Sequence, residues 1–564
     1  MGPTTALAVL RREPNRFVFR GTREYGALQQ GLREPAHLQD GADWSIQVDR
    51  LAAASLQVDA DPSPQIWQLI RSERHQLLHG DVPLFTADPH TGTVTGPGIE
   101  PTADALIESG SQLLDNRLGA LDDADLARQR ALVRAALYTD AARQNSMSRP
   151  VVESAVDPVS GAASRAMRVT ELVSAACELA DTISAASVAG PDGSATWIAP
   201  QYHPEVDRYQ LQPLHWDLNT GTCGVALFLA TAHAVTDTAA YRDVALAAVQ
   251  PVRDAFAHEP ASAAQLIGLG GATGLGSVIH GLARVGMLLG DSSLVEDAVG
   301  AALQVDSARL VGSGPDVFDG AAGALLGLLT VYASRPDAAV LDRAVLCGDH
   351  LVASAQLAPT GRRAWRTLGG RFLTGFSHGV AGVAYALSRL FLVTGDPRYR
   401  MAAAEAIGHE LALFDHQEKN WPDLREPGSF RREWCHGAPG IGLARIGGLD
   451  ALDTAAIRAD IDAAIGCVRS TGLAGPDHLC CGNAGRGELL LTAATRLGQP
   501  DLLAEGRLRA SALVRRASAA GWYELDELLP GSLVVPGLLQ GVAGIGHHLL
   551  RAAEPSLPSV LLWA

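Results

Sequence analysis

The chain has 564 residues, 47% of them apolar and 19% charged. That much apolar side chain supports a sizeable core and excludes global disorder, and the length suggests roughly two to four domains. A formal net charge of −16 excludes nucleic acid and anionic membrane as main partners, since both demand a basic surface.

The opening residues, MGPTTALAVLRREPNR, carry only a short apolar run before Arg11 and lack the basic region and cleavage site of a secretory signal. No run of about 18 apolar residues occurs, so no membrane span is expected and the expected location is the cytoplasm. The first 140 or so residues have few glycine pairs, proline-punctuated stretches such as GDVPLFTADPHTGTVTGPG, and one clear helix, DDADLARQRALVRAALYTDAA. RQNSMSRPVVESAVDPVSGAASR then reads as a polar linker. The expected organisation is a first region over 1–145, a linker over 146–167 and a second region over 168–564. AGPDGSATWIAPQYHPEVDRYQ reads as a loop before a repeat begins.

From about residue 220 a unit of Gly, two residues, Gly and an apolar run recurs seven times, starting at Gly221, Gly271, Gly320, Gly379, Gly437, Gly482 and Gly541. Intervals of 45 to 59 residues suffice for two helices and their connections. The intervening segments, AYRDVALAAVQPVRDAFA, SLVEDAVGAALQV, AVLDRAVLCGDHLVASAQL and PRYRMAAAEAIGHELALF, are amphipathic at helical spacing and read as outer helices. The runs after the glycines are apolar nearly all round and read as buried inner helices. Neither end unit has a polar capping face, so the expected fold is all-α, a closed α/α toroid of seven helix pairs.

If the glycine units start the inner helices, the residues just before them share one rim. One position before are Thr220, Gly270, Asp319, His378, His436, Cys481 and Gln540; two before are Asn219, Leu269, Phe318, Ser377, Cys435, Cys480 and Leu539. Asp, His and Cys side chains collected on an apolar scaffold mark a candidate active site. Seven sparse cysteines are no disulfide framework. Cys177, Cys223, Cys347 and Cys467 lie in apolar helical contexts and read as core. Cys435 and Cys480 hold equivalent places in adjacent repeats, and Cys481 follows.

Inner helices pack about 8–10 Å apart, so the three thiols could meet on one ion. Soft thiolates suit zinc, and three ligands leave a fourth position open, the catalytic arrangement. His436 as a fourth ligand would close the site, and three thiols serving only as small buried hydrophobes is the plainer alternative. His378 is a rim acid/base or a core histidine. Of Asp316 and Asp319, one can cap the following helix while the other orients a histidine. Arg431, four residues before Cys435, is a site residue or a surface charge.

DVFDGAAG, GFSHGVAG, RREWCHGAPG, CCGNAGRGE and PGLLQGVAGIGHHLLR together give residues 168–564 a resemblance to lanthionine synthetase C-like cyclases. The resemblance implies an α/α toroid with a catalytic Zn²⁺. The implied reaction adds peptide cysteines to dehydroalanine or dehydrobutyrine, forming thioether rings in ribosomal peptides. It implies Cys435, Cys480 and Cys481 as zinc ligands, His378 as acid/base with Asp316 rather than Asp319 as its partner, and a site role for Arg431. Many members carry Cys-His where this chain has Cys480-Cys481. An all-thiolate set makes a bound substrate thiolate more electron-rich, and a faster, less selective cyclase is the expectation.

RFVFRGTREYGALQQGLREPAHLQDG, HGDVPLF and DLARQRALVRAAL resemble the last part of the dehydratase domain of class II bifunctional lanthipeptide synthetases. Residues 1–145 are therefore expected to be a mostly helical remnant of a kinase-like dehydratase domain. There, an arginine and threonine spaced like Arg16 and Thr22 serve phosphate elimination. No glycine-rich phosphate loop or Mg²⁺-binding carboxylate set is found in 1–140, so ATP-dependent dehydration is not expected. The expected partners are a dehydrated precursor peptide and a separate dehydratase half, the chain being a shortened product or one part of a split enzyme. The competing reading is a non-catalytic peptide-binding scaffold; a carbohydrate-active toroid would need a carboxylate pair and aromatic platforms that 5% aromatics do not suggest.

Overall fold

The computed structural model describes residues 13–56, 64–103, 108–145, 165–203, 208–525 and 533–564. Its contacts divide the chain into two compact units, Met1–Gln129 and Arg130–Ala564. The linker expected at 146–167 lies outside the described residues as far as 164.

In the first unit an antiparallel three-stranded sheet pairs Asn15–Phe17 with Phe85–Ala87 and the latter with Val94–Thr95. Helices Thr22–Leu32, Gly41–Leu56, Pro64–Leu78 and Gly110–Gly119 accompany it. Leu69, Phe85 and Val94 form a small core. The stretch that reads as proline-punctuated loop thus supplies two of the strands. The helix expected near 122–142 spans Asp123–Asn145.

The second unit opens with helix α1 (Val169–Ala185). Two short antiparallel pairs follow, Val188–Ala189 with Ala195–Thr196 and Ile198–His203 with Arg208–Pro213. The segment expected to be a loop is therefore two hairpins. Pro200 and the polar residues around it hide the strand alternation, and pairing supplies the order.

Among the described residues, thirteen further helices of ten residues or more alternate inner and outer. They are α2 (Thr222–Thr236), α3 (Ala239–His258), α4 (Leu275–Leu289), α5 (Ser292–Ala302), α6 (Ala321–Ser334) and α7 (Ala338–Ser354). The series continues with α8 (Val380–Thr394), α9 (Pro397–Leu411), α10 (Ala438–Gly447), α11 (Ala455–Ser470), α12 (Asn483–Leu497), α13 (Pro500–Ala520) and α14 (Val542–Ala553). The even-numbered helices pack successively, and α14 packs back on α2, so the ring is closed. Each odd helix from α3 to α13 lies outside the inner helix before it, and α1 lies outside α14. The first outer helix thus covers the last inner one, and the fold is an α/α toroid of seven helix pairs.

The periodicity explains the layers. In α3 the buried residues Tyr241, Ala245, Ala248, Val249, Val252 and Phe256 follow one helical stripe, whereas Thr222–Ala232 of α2 are buried without a break. The glycine pairs have a steric origin. A Cβ on Gly224, Gly323, Gly382, Gly440, Gly485 or Gly544 would fall within 2.4 Å of the carbonyl oxygen of the residue six positions earlier. Six of the seven inner helices therefore start hard against their own rim loops at a position that only glycine permits.

The second repeat departs from the expected register. Helix α4 is capped by Gly274, not Gly271, and Ser277 stands where the other repeats carry the second glycine. Gly270 and Gly271 instead let the loop lie against Phe318, Asp319 and Gly323 of the next repeat. The rim residues there are Thr273 and Ala272 rather than Gly270 and Leu269.

Candidate metal and acid–base site

The rim is best followed by position before the glycine that caps each inner helix. Four residues before it stand Asp217, Gly270, Asp316, Gly375, Glu433, His478 and Gly537. Asp217, Asp316 and His478 use this position to accept the backbone N–H of Thr220, Asp319 and Cys481, respectively, closing their own turns. Glu433 departs from that use, its Oε2 lying 3.5 Å from Cys435 Sγ.

Asp316 orients the histidine, while neither aspartate caps the following helix, whose N-cap is Gly320 with no side-chain cap. Asp316 Oδ1 accepts from Asp319 N at 2.9 Å, and its Oδ2 lies 2.9 Å from His378 Nδ1. The pair is mostly buried, with side-chain exposures of 16% for His378 and 8% for Asp316. Asp319 turns the other way and accepts from Thr273 Oγ1. The His378 ring is flanked by Phe318 at 5.0 Å and, nearly parallel, by His436 at 6.0 Å. Burial holds the pKa of His436 down at about 4, so this neighbour is neutral near pH 7.

Cys435, Cys480 and Cys481 form the cluster that could hold a metal ion, their sulfurs all within 4.8 Å of one another. Cys435 Sγ is 3.2 Å from Cys481 Sγ, which is 3.4 Å from Cys480 Sγ. Sulfur–sulfur hydrogen bonds to Cys435 and Cys480 lower the pKa of Cys481 well below that of an ordinary thiol. His436 is not a member of this cluster. Among the other cysteines, Cys223, Cys347 and Cys467 are buried as expected of core residues, and Cys177 is half-buried on α1.

Arg431 does not touch the thiols. It is half-exposed and ion-pairs with Glu426 at 3.3 Å and, at 3.9 Å, with Asp423 and Glu433. Its backbone carbonyl accepts from Asn420 Nδ2, while Asn420 Oδ1 accepts from Ala438 N. Asn420 thereby fixes both ends of the turn that presents Cys435. Neither it nor Glu433 stands out in the sequence. Glu433 had a signal, two residues before a candidate ligand in RREWCHG; Asn420 had none. Burial raises the Glu433 carboxyl to about 7.

In the first unit, Arg16 lies in the strand Asn15–Phe17 opposite Thr86, and Thr22 is the first residue of its helix; both are exposed. A buried cluster there that the sequence did not suggest brings Glu73 together with Arg20 and the Tyr25 hydroxyl.

The family description "Lanthionine synthetase C-like protein" matches residues 212–562, more than half of the chain, and the chain belongs to that family. Residues 1–88 match a "Domain of unknown function (DUF4135)". Nisin cyclase is similar at 19% identity with a TM-score of 0.44, over 61% of this chain and 92% of that one. A glycosyl hydrolase of family 88 from Bacteroides vulgatus is similar at 14% identity and 0.37, over 59% and 98%. Cellobiose 2-epimerase from Bacillus thermoamylovorans is similar at 12% identity and 0.31, over 44% and 76%. No curated protein gives a significant match. Among the described residues no helix is long and apolar enough to cross a membrane.

Proposed function

We propose that this chain is a zinc-dependent lanthipeptide cyclase. It adds a cysteine thiol of a ribosomal peptide to a dehydroalanine or dehydrobutyrine of the same peptide, forming a lanthionine or methyllanthionine ring. The observation that carries the reading is the joint placement on one rim of three clustered thiols and a buried histidine–aspartate pair.

The thiols fit a zinc ion. Tetrahedral coordination with Zn–S near 2.3 Å separates sulfurs by about 3.8 Å, and the cluster spans separations from 3.2 Å to within 4.8 Å. Cys435, Cys480 and Cys481 would hold the ion, leaving one position for a substrate thiol. When bound, zinc keeps a coordinating thiol deprotonated at neutral pH.

The remaining chemistry belongs to His378 and Asp316. Addition of a thiolate to the β-carbon leaves an enolate that needs a proton at its α-carbon. With Nδ1 engaged by Asp316, His378 has Nε2 left to deliver or remove that proton, and the Asp316 carboxylate fixes the ring's tautomer. Arg431, four residues before Cys435, is held by ion pairs to Asp423, Glu426 and Glu433, and we assign it to shaping this turn. We assign cyclisation to residues 168–564. Residues 1–145 are proposed to relate to the end of a dehydratase domain, and no step of cyclisation is assigned to Arg16 or Thr22.

Cyclisation leaves mass unchanged, so the test counts thiols. A dehydrated, cysteine-containing peptide is incubated with the protein and then alkylated. Wild type should protect the peptide from alkylation. Cys435→Ala should lose both zinc and this protection, and His378→Ala should lose protection while keeping zinc. Unprotected peptide with zinc-loaded wild type would favour the peptide-binding scaffold.

A further inference from the structure

The rim loops are laced to one another by backbone hydrogen bonds, six of the seven repeats donating to the next from the residue two before the capping glycine. Asn219 N donates to Ala272 O at 3.0 Å, Ala272 N to Phe318 O at 3.1 Å, Phe318 N to Ser377 O at 3.1 Å and Ser377 N to Cys435 O at 3.3 Å. Farther round, Cys480 N donates to Leu539 O at 2.8 Å and Leu539 N returns to Asn219 O at 2.9 Å. Six of the seven bonds of the ring are thus made. Among the described residues, the seventh, from Cys435 N to Cys480 O, is not.

The opening is not where chain connectivity would put it. The ends of the repeat series meet between the seventh and first repeats, and there the bond is intact and Gly537 lets the loop approach Thr220 closely. The opening lies between the fifth and sixth repeats, whose inner helices α10 and α12 pack like any other neighbours. At the place four before the capping glycine, Gly375 of the fourth repeat backs onto Cys435 and His436, whereas the fifth repeat carries Glu433. Away from the ring position, the Arg486 side chain crosses to Arg432 O at 3.3 Å. At the ring position itself stand the three thiols, with Cys435 on one side and Cys480 and Cys481 on the other.

We infer that the ion held by these thiols replaces the missing seventh bond and closes the rim, so that metal binding and closure of the toroid's catalytic face are one event. The inference rests on the metal reading proposed above only in that an ion binds; the opening itself is a property of the polypeptide. An open ring loosens first beside the gap, at the amides of Ser377 and Cys480, and last on the far side, at Asn219, Ala272 and Phe318.

The test is hydrogen exchange of the full chain, zinc-loaded and stripped by chelator under reducing conditions. Stripping should speed exchange about tenfold or more around Ser377, Cys435 and Cys480 and leave Asn219, Ala272 and Phe318 within about twofold. A covalent closure then replaces the ion. In stripped C480A, diamide takes two hydrogens from Cys435 and Cys481, becoming the hydrazine and leaving a disulfide across the gap. In stripped C435A the same oxidation joins Cys480 to Cys481 within one loop. Slow exchange should return in the first variant and not in the second.

Equal loosening at all seven loops on stripping, or an oxidised C480A protein as loose as the stripped one, would overturn the inference. Zinc-free wild type would fell the metal reading and closure by an ion with it, while the two disulfides would still report the opening.

Discussion

The Asp316 carboxylate meets His378 Nδ1 at 2.9 Å while its other oxygen closes the turn to Asp319. One side chain therefore shapes the loop and orients the proposed proton carrier. Asp316→Asn keeps an acceptor for the turn and removes the charge. The expected outcome is a loss of about 10- to 100-fold in cyclisation rate with zinc content unchanged. His378→Ala should cost about 10²- to 10⁴-fold, again with zinc retained. Rates on one dehydrated peptide, measured beside zinc content, check both.

Cys481 is the thiol whose pKa the cluster lowers. Cys481→His should still bind one zinc and turn over more slowly, because a neutral nitrogen donates less charge than a thiolate. Equal rates for the two proteins would contradict a kinetic role for the all-thiolate set.

Gly440 of α10 would drive a Cβ to 1.8 Å from the carbonyl oxygen of Trp434, the residue before Cys435. Gly440→Ala should therefore cost about 2–3 kcal/mol of stability and weaken zinc binding together. Gly466 of α11 has nothing within 4 Å of its Cβ position, and Gly466→Ala should gain about 0.5–1 kcal/mol. Denaturant unfolding of the two variants, with zinc titration of the first, makes the comparison.

His547 of α14 is 1% exposed, and burial holds its pKa at about 4 against an ordinary 6.5. Between those values the unfolded chain binds the extra proton, so stability falls as pH drops from 6.5 to 4 and is insensitive to this group above 6.5. The full contribution is of order 3 kcal/mol. His547→Gln should flatten this limb of a stability–pH curve; an unchanged slope would place the acid sensitivity elsewhere.

The toroid was legible because its constraint is local. A glycine that must clear a carbonyl six residues back writes itself into six of the seven repeats, as Gly382 does against Phe376 and Gly485 against Leu479. The second repeat misled because Gly271 and Gly274 imitate the pair, although Gly271 serves contact with the third repeat and Gly274 is itself the cap of α4. The hairpin at Ile198–Pro213 was hidden because its order comes from pairing. At the site, the thiols and His378 were legible from their equivalent places in the repeats. Asn420 was not, since its two backbone bonds reach 11 and 18 residues away. Nor was Trp563, whose ring packs near Phe376 and Trp434 from the far end of the chain.

The most direct measurement of the central claim is zinc content per chain together with thiol protection of a dehydrated peptide, for wild type and Cys435→Ala. The account predicts about one zinc and a protected peptide for wild type, and neither for the variant. A variant without zinc that still protects the peptide, or a wild type without zinc that does so, would contradict it.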